Sequence, residues 1–283
     1  METNLKPLLI KHGVMLKKAY GQNFLTDGSL LADIVQKADV SKDDTVLEIG
    51  CGAGALTRVL ADSAKRVVGY EIDTRLKPVL QETTGDKSNV KIIFKDVMKE
   101  KLADTEAELK GDYIMVANLP YYITTPIIMR FLENAKNIRR MVIMVQQEVA
   151  ERLAASAGTA DYGAITVGIN LRGSATIIKR VPREMFTPAP NVDSAVVRID
   201  IDDGKFSGVN FHKVRDVVRV AFSSRRKMLV NNIMNGFKLS RAQAESALNM
   251  AKIPLTARGE TLSAEDYVKL TDCLMGLINP SNN

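Results

Sequence analysis

The chain is 283 residues long, 46% apolar and 25% charged, with a net charge of +6, which excludes a disordered or fibrous protein and leaves room for one large domain plus a small one. It contains no run of 18 uninterrupted apolar residues and no signal-peptide pattern at its start, so a soluble, cytoplasmic protein without membrane contact is expected. Cys51, Cys273, His12 and His212 lie too far apart for a close metal-ligand spacing, so neither a disulfide nor a metal centre is expected.

Charge is unevenly spread. Residues 205–283 hold 12 basic and 6 acidic side chains, while residues 1–204 hold 27 of each. Residues 1–22 contribute four lysines and one acid, so both ends are basic around a mildly acidic middle. This pattern suits a polyanion gripped at the periphery; a merely solubilising surface is the plainer alternative.

In chain order, residues 1–20 read as a basic arm that includes Lys17 and Lys18, followed by Gly21-Gln22-Asn23-Phe24-Leu25-Thr26. Apolar spacing predicts a helix over 29–38. Thr45–Ile49 reads as a strand running into Gly50-Cys51-Gly52-Ala53-Gly54 and a helix over 55–64. Glycine is needed where the backbone turns tightly and a ligand approaches it without a Cβ in the way. The next strand, 66–70, ends at Glu71, about 20 residues after the glycines, where a carboxylate can accept from ribose hydroxyls. A third strand, 90–94, ends at Lys95-Asp96, where Asp96 can accept from an adenine amine. A fourth, 113–116, delivers Asn118. Four strands each ending in a polar or glycine-rich element predict one parallel sheet presenting these residues at its carboxyl edge.

Ala117-Asn118-Leu119-Pro120-Tyr121-Tyr122 reads as an amine-binding loop. Asn118 offers a side-chain carbonyl, Leu119 is held extended by the following proline, and Pro120 keeps its carbonyl. Two acceptors aimed at one point can hold both hydrogens of an exocyclic amine, while the Tyr121 ring lies against the base carrying it. Adenine, cytosine and glutamine amines all qualify; a turn cap with packed tyrosines is the plainer reading. The glycine spacing lacks the G-x-G-x-x-G of pyrophosphate binders, and no Lys-Ser or Lys-Thr follows it as in a P-loop. The remaining candidate is an adenosine ligand without a pyrophosphate, S-adenosylmethionine.

Further strands are expected over 141–145, 175–181 and 194–201, with a helix over 146–155. Between the last two strands lies Met185-Phe186-Thr187-Pro188-Ala189-Pro190-Asn191-Val192-Asp193-Ser194, in which Phe186 either stacks on the second face of the base or plugs the core. Asp202-Asp203-Gly204 marks a boundary, giving an arm over 1–20, a catalytic domain over 21–203 and a helical domain over 204–283. Helices are predicted over 209–222, 226–236, 241–251 and 263–278, with capping boxes at Ser240/Gln243 and Ser263/Asp266. Ser223-Ser224-Arg225-Arg226-Lys227 suits phosphate contacts, or forms a solvated helix end.

Taken together, Gly21–Leu25, Glu48–Gly54, Asn118–Tyr121, Phe186–Ser194 and Ala221–Lys227, in this order from about Lys17 to Leu277, resemble the KsgA family of ribosomal RNA adenine dimethyltransferases. The resemblance implies an α/β fold, with a Rossmann-like seven-stranded S-adenosylmethionine-dependent methyltransferase sheet and a small all-helical C-terminal domain. It implies transfer of four methyl groups to the N6 atoms of two adjacent adenosines near the 3′ end of 16S ribosomal RNA, in an immature small ribosomal subunit, by a monomer that releases S-adenosylhomocysteine. The cofactor set would be Gln22, Asn23, Leu25, Gly50, Gly52, Glu71, Ile72, Asp96, Val97 and Asn118. The catalytic set would be Asn118, Pro120, Tyr121 and Phe186, and the RNA contacts Lys17, Lys18, Arg225, Arg226 and Lys227. The Erm enzymes, which modify large-subunit RNA, share the first four motifs; the fifth and the closing helices favour KsgA. A glutamine or small-amine methyltransferase and a subunit-binding assembly factor are the alternatives from other classes.

Overall fold

The computed structural model describes residues 5–14, 24–25 and 27–278. Helix α1 (Leu5–Lys11), strand β1 (Phe24–Leu25) and helix α2 (Gly28–Lys37) precede a run of alternating elements. These are β2 (Thr45–Ile49), α3 (Ala55–Ser63), β3 (Arg66–Glu71), α4 (Lys77–Thr84), β4 (Val90–Phe94), α5 (Leu102–Leu109), β5 (Tyr113–Asn118), α6 (Thr124–Asn134) and β6 (Ile138–Gln146). There follow α7 (Gln147–Leu153), α8 (Ala164–Arg172), β7 (Gly173–Val181), β8 (Phe186–Thr187) and β9 (Ser194–Ile201), then α9 (Phe211–Ala221), α10 (Leu229–Phe237), α11 (Arg241–Met250) and α12 (Ala264–Ile278).

Seven strands form one sheet in the order β4-β3-β2-β5-β6-β9-β7. The β2–β3, β3–β4, β2–β5 and β5–β6 pairs are parallel and β6–β9 is antiparallel. From β2 the chain moves outward on one side to β3 and β4, then returns to the other side of β2 as β5. Such a reversal opens a crevice beyond the carboxyl ends of the two central strands. Val46, Ile114, Val116, Val142, Met144 and Val196 share a core with Leu30, Leu31, Ile34, Leu60 and Ala61 of α2 and α3. Within a strand these positions lie two apart, which turns them to one face of the sheet. Asp27 starts α2 by accepting from the amides of Ser29 and Leu30.

The N-terminal arm is in part a folded element. Leu9 and Val14 are buried with Phe24, Cys51, Leu76, Val79 and Leu80. Lys11 and His12 each reach Glu82 of α4 at 2.7 Å. The apolar residues interleaved with the lysines account for this, because burying them outweighs leaving the segment solvated. Lys17 and Lys18 lie outside the described residues.

Contacts divide the chain into two units, one of residues 1–150 with 175–201 and one of residues 151–174 with 202–283. Glu151–Ser174, assigned from sequence to the sheet-bearing part, thus groups with the C-terminal helices. Tyr162, Val167 and Leu171 are buried in the core that α9–α12 build. Arg172 also pairs with Asp203 at 2.8 Å, and its carbonyl accepts from the Asp202 amide. Within this second unit the Phe222 ring packs tilted against Tyr162 and stacked against Tyr267, with centroids 6.4 and 6.3 Å apart. Both capping boxes form, Ser240 with Gln243 and Ser263 with Asp266.

Candidate active site

The site starts where β2 ends. Gly50, Gly52 and Gly54 adopt φ of +80°, +56° and +85°, the left-handed region that favours glycine. A Cβ on Gly52 would lie 2.7 Å from the Phe24 ring, so the missing side chain is what lets that ring close on the loop. At the end of β3 the Glu71 carboxylate accepts from the Gly52 amide and from the Asp73 amide, both at 2.8 Å. Two strand ends are thereby locked together. Burial raises the Glu71 carboxyl above its ordinary value, while those two amides pull it down.

A cavity of about 140 Å³ opens at this edge. Leu25, Gly50, Gly52, Glu71, Ile72, Asp96, Val97 and Asn118 line it, as do Pro120 and Tyr121. Every cofactor residue expected from sequence that lies within the described residues thus lines one cavity, Leu25 from β1 and the others from the carboxyl ends of the parallel strands and the loops that follow them. Gln22 and Asn23 fall outside the described residues.

Glu48 also lines the cavity, and no role was expected for it. It is 1% exposed, and its Oε2 has no hydrogen-bond partner. Burial pushes its carboxyl up to about 8, and the neighbouring Glu71 pushes the same way. The available signal was an acid inside a central parallel strand, where both faces are covered. Two acidic groups beneath apolar walls fit S-adenosylmethionine. Its adenosine needs an apolar slot with hydrogen-bonding groups beside it, and Glu48, which favours its proton, supplies polarity there without a charge. The Cβ-free cradle at Gly52 and the unpartnered Glu48 oxygen are the observations behind that fit.

The amine-binding end departs from expectation at two residues. Asn118 is the last residue of β5 and lines the cavity. The Pro120 carbonyl, however, accepts from the Ile123 amide and from Thr124 Oγ1, both at 3.1 Å. A carbonyl has two lone pairs, so Pro120 is spent on starting α6. Leu119, one residue earlier, also lines the cavity, and outside the helices and strands its carbonyl accepts no backbone hydrogen bond among the described residues. Thr124 and the Ile123 amide together tie the proline carbonyl down. Phe186 is the second departure. It is 4% exposed, pairs with Leu25 across β1–β8, and does not line the cavity. It is buried in one cluster with Leu25, Leu30 and Val181, so in this structure Phe186 is a core residue. Tyr121 is instead anchored by a 2.8 Å hydrogen bond between its hydroxyl and Ser194 Oγ, and burial raises its phenol.

In the second unit, Arg225 is committed internally. Its guanidinium donates to the carbonyls of Ala160 (3.0 Å) and Tyr162 and lies 6.0 Å from the Phe222 ring centroid. These two bonds give Arg225 a structural role, although its side chain is exposed. The Arg226 and Lys227 side chains are exposed and make no hydrogen bond or ion pair among the described residues.

The model of the family described as ribosomal RNA adenine dimethylase matches residues 13–275. Ribosomal RNA small subunit methyltransferase A of Geobacillus thermodenitrificans is 45% identical over 280 residues, covering 96% of this chain and 95% of that protein. The protein of the same name from Lysinibacillus sphaericus is 43% identical over 274 residues, covering 94% of each. A dimethyladenosine transferase from Plasmodium falciparum has a similar structure, with a TM-score of 0.72 at 26% identity over 87% of this chain and 95% of that one. The 23S rRNA methyltransferase ErmE gives a TM-score of 0.68 at 29% identity over 89% and 99%.

Proposed function

The chain belongs to the ribosomal RNA adenine dimethylase family, and from that premise we propose that it methylates the N6 amines of two adjacent adenosines near the 3′ end of 16S ribosomal RNA. It is an S-adenosylmethionine-dependent ribosomal RNA adenine dimethyltransferase. The substrate in this reading is RNA held in an immature small subunit, met in the cytoplasm by a monomer.

The observation behind the site reading is that Asn118 and Leu119, adjacent in the chain, both line the cavity. Because the proline carbonyl is taken by α6, the second acceptor in this reading is Leu119. The cofactor, when bound by Leu25, Gly50, Gly52, Glu71, Ile72, Asp96 and Val97, supplies an electrophilic methyl group on a sulfonium. Asn118 and Leu119 accept the two amine hydrogens and favour a pyramidal nitrogen, which localises a lone pair otherwise spread into the purine. Carbonyl acceptors suit this task because they orient the amine without removing its proton beforehand. Positioning of this kind removes on the order of 7–11 kcal/mol from a bimolecular barrier. Extruding the base from its stack costs about a few kcal/mol, and stacking on Tyr121 returns ~1–3 kcal/mol. After the first methylation one hydrogen remains, so one acceptor suffices for the second. Arg226 and Lys227 contact phosphates, with Lys17 and Lys18 retained in that role from sequence.

The test is methyl transfer from labelled S-adenosylmethionine to unmodified small ribosomal subunits, with large subunits and a glutamine-bearing peptide in parallel, followed by nucleoside analysis. Dimethyladenosine arising with small subunits alone is the expected result. Label on large subunits or on the peptide would overturn the substrate assignment.

A further inference from the structure

Asp96 and Val97 reach the cavity from the end of β4, a strand at the edge of the sheet with β3 as its neighbour. An edge strand leaves the loop that follows it without lateral support on its outer side. The loop is closed partly from within. Asp96 Oδ1 accepts from the Met98 amide at 3.0 Å, and the Asp96 carbonyl accepts from the amides of Lys99 (3.0 Å) and Glu100 (3.3 Å). The carbonyls of Met98 and Glu100 are not used in this closure, and Arg130 of α6 takes both. Its Nη1 donates to Met98 O at 2.8 Å and its Nη2 donates to Glu100 O.

An arginine can donate to carboxylates or to backbone carbonyls. Among the described residues no carboxylate pairs with Arg130, and its Nε is buried without a hydrogen-bond partner. Both terminal nitrogens of the guanidinium are thus directed at the carbonyls of one short turn. Its fork of donors suits that geometry, because two carbonyls two residues apart can be gripped by one planar group. Ile127, one turn earlier on the same face of α6, lines the cavity. The first turn of this helix binds the Pro120 carbonyl. A single helix therefore holds the amine-binding loop at one end and the Asp96 turn further along.

We propose that Arg130 is a positioning residue that sets the Asp96–Glu100 turn, and through it Asp96, against the adenine end of the cofactor. This rests on the reading that Asp96 contacts the cofactor. The experiment is calorimetric titration of S-adenosylhomocysteine into the wild-type protein, R130M, R130K, D96A and the R130M/D96A pair, with kcat measured at saturating S-adenosylmethionine. Losing two charge-assisted hydrogen bonds should weaken binding about tenfold in R130M, and about threefold in R130K, which can reach one carbonyl. The kcat at saturation should change less than about twofold, because Arg130 serves binding. A residue acting through Asp96 should add little once the carboxylate is gone, so R130M should weaken D96A by less than about twofold. Unchanged binding in R130M, or an effect of equal size with and without the Asp96 carboxylate, would overturn the proposal. Wild-type binding by D96A would instead remove its premise, an outcome visible before Arg130 is touched. If R130M does not fold, R130K carried through the same cycle decides by the same criteria.

Discussion

The cavity wall and the Ser223–Lys227 turn both carry polar side chains, yet they hold them differently. At the cavity, both Glu71 oxygens accept backbone amides, the Tyr121 hydroxyl is tied to Ser194 and the Pro120 carbonyl is tied to α6. In the helical unit, Arg225 is tied to two carbonyls, while Arg226 and Lys227 project without partners among the described residues. The difference follows from what each region must do. Chemistry on one nitrogen needs atoms held in place before the substrate arrives, and a phosphate backbone needs only charge that can adjust to it.

The strongest test of that contrast is Asn118→Ala. Removing a preorganised acceptor should lower kcat by about 10²–10³, by analogy with removal of an oxyanion-hole donor, and leave RNA affinity within about twofold. Equal losses in rate and affinity would erase the distinction between the two regions.

Glu48→Gln probes the floor of the cavity. The folded carboxyl is raised to about 8 from an ordinary 4.5, so the folded state favours the proton. That contribution is complete below about 4.5 and is lost as pH rises toward 8, on the order of a few kcal/mol across the window. Urea midpoints measured from pH 5 to 9 should therefore fall with pH in the wild type relative to the Gln variant. Parallel curves would mean that the folded protein holds Glu48 ionised at no cost.

The helical region separates within three residues. Arg226→Ala with Lys227→Ala should weaken RNA binding and flatten the log–log salt dependence by about 0.7–0.9 for each phosphate no longer neutralised. Arg225→Ala should lower the melting temperature and leave that slope unchanged. A reversed pattern would return Arg225 to the RNA and make its carbonyl hydrogen bonds incidental. The smallest effect belongs to Tyr121→Phe, which loses one hydrogen bond worth about 0.5–1.5 kcal/mol and should cost a few-fold in kcat.

Local chemistry made much of this molecule legible from its residues. Strands 45–49, 90–94 and 194–201 were read to the residue, because each is an apolar run with a polar boundary. Both capping boxes formed for the same reason, since donor and acceptor lie three residues apart. Gly50, Glu71, Asp96 and Asn118 could be placed at one edge because parallel strands deliver their last residues to the same side.

What the sequence did not reveal depends on partners distant in the chain or on the element that comes next. Which carbonyl of Leu119-Pro120 remains available is decided by the helix that starts at Thr124. The burial of Phe186 is decided by pairing with Leu25, and the anchoring of Arg225 by carbonyls at Ala160 and Tyr162. The grouping of Glu151–Ser174 with the C-terminal helices likewise depends on a shared core. The sequence by itself determined the elements, the sheet edge and the residue types offered there. Only the tertiary structure decided which of those groups are already satisfied by the protein, because a lone pair or a ring face is used up by whatever the fold packs against it.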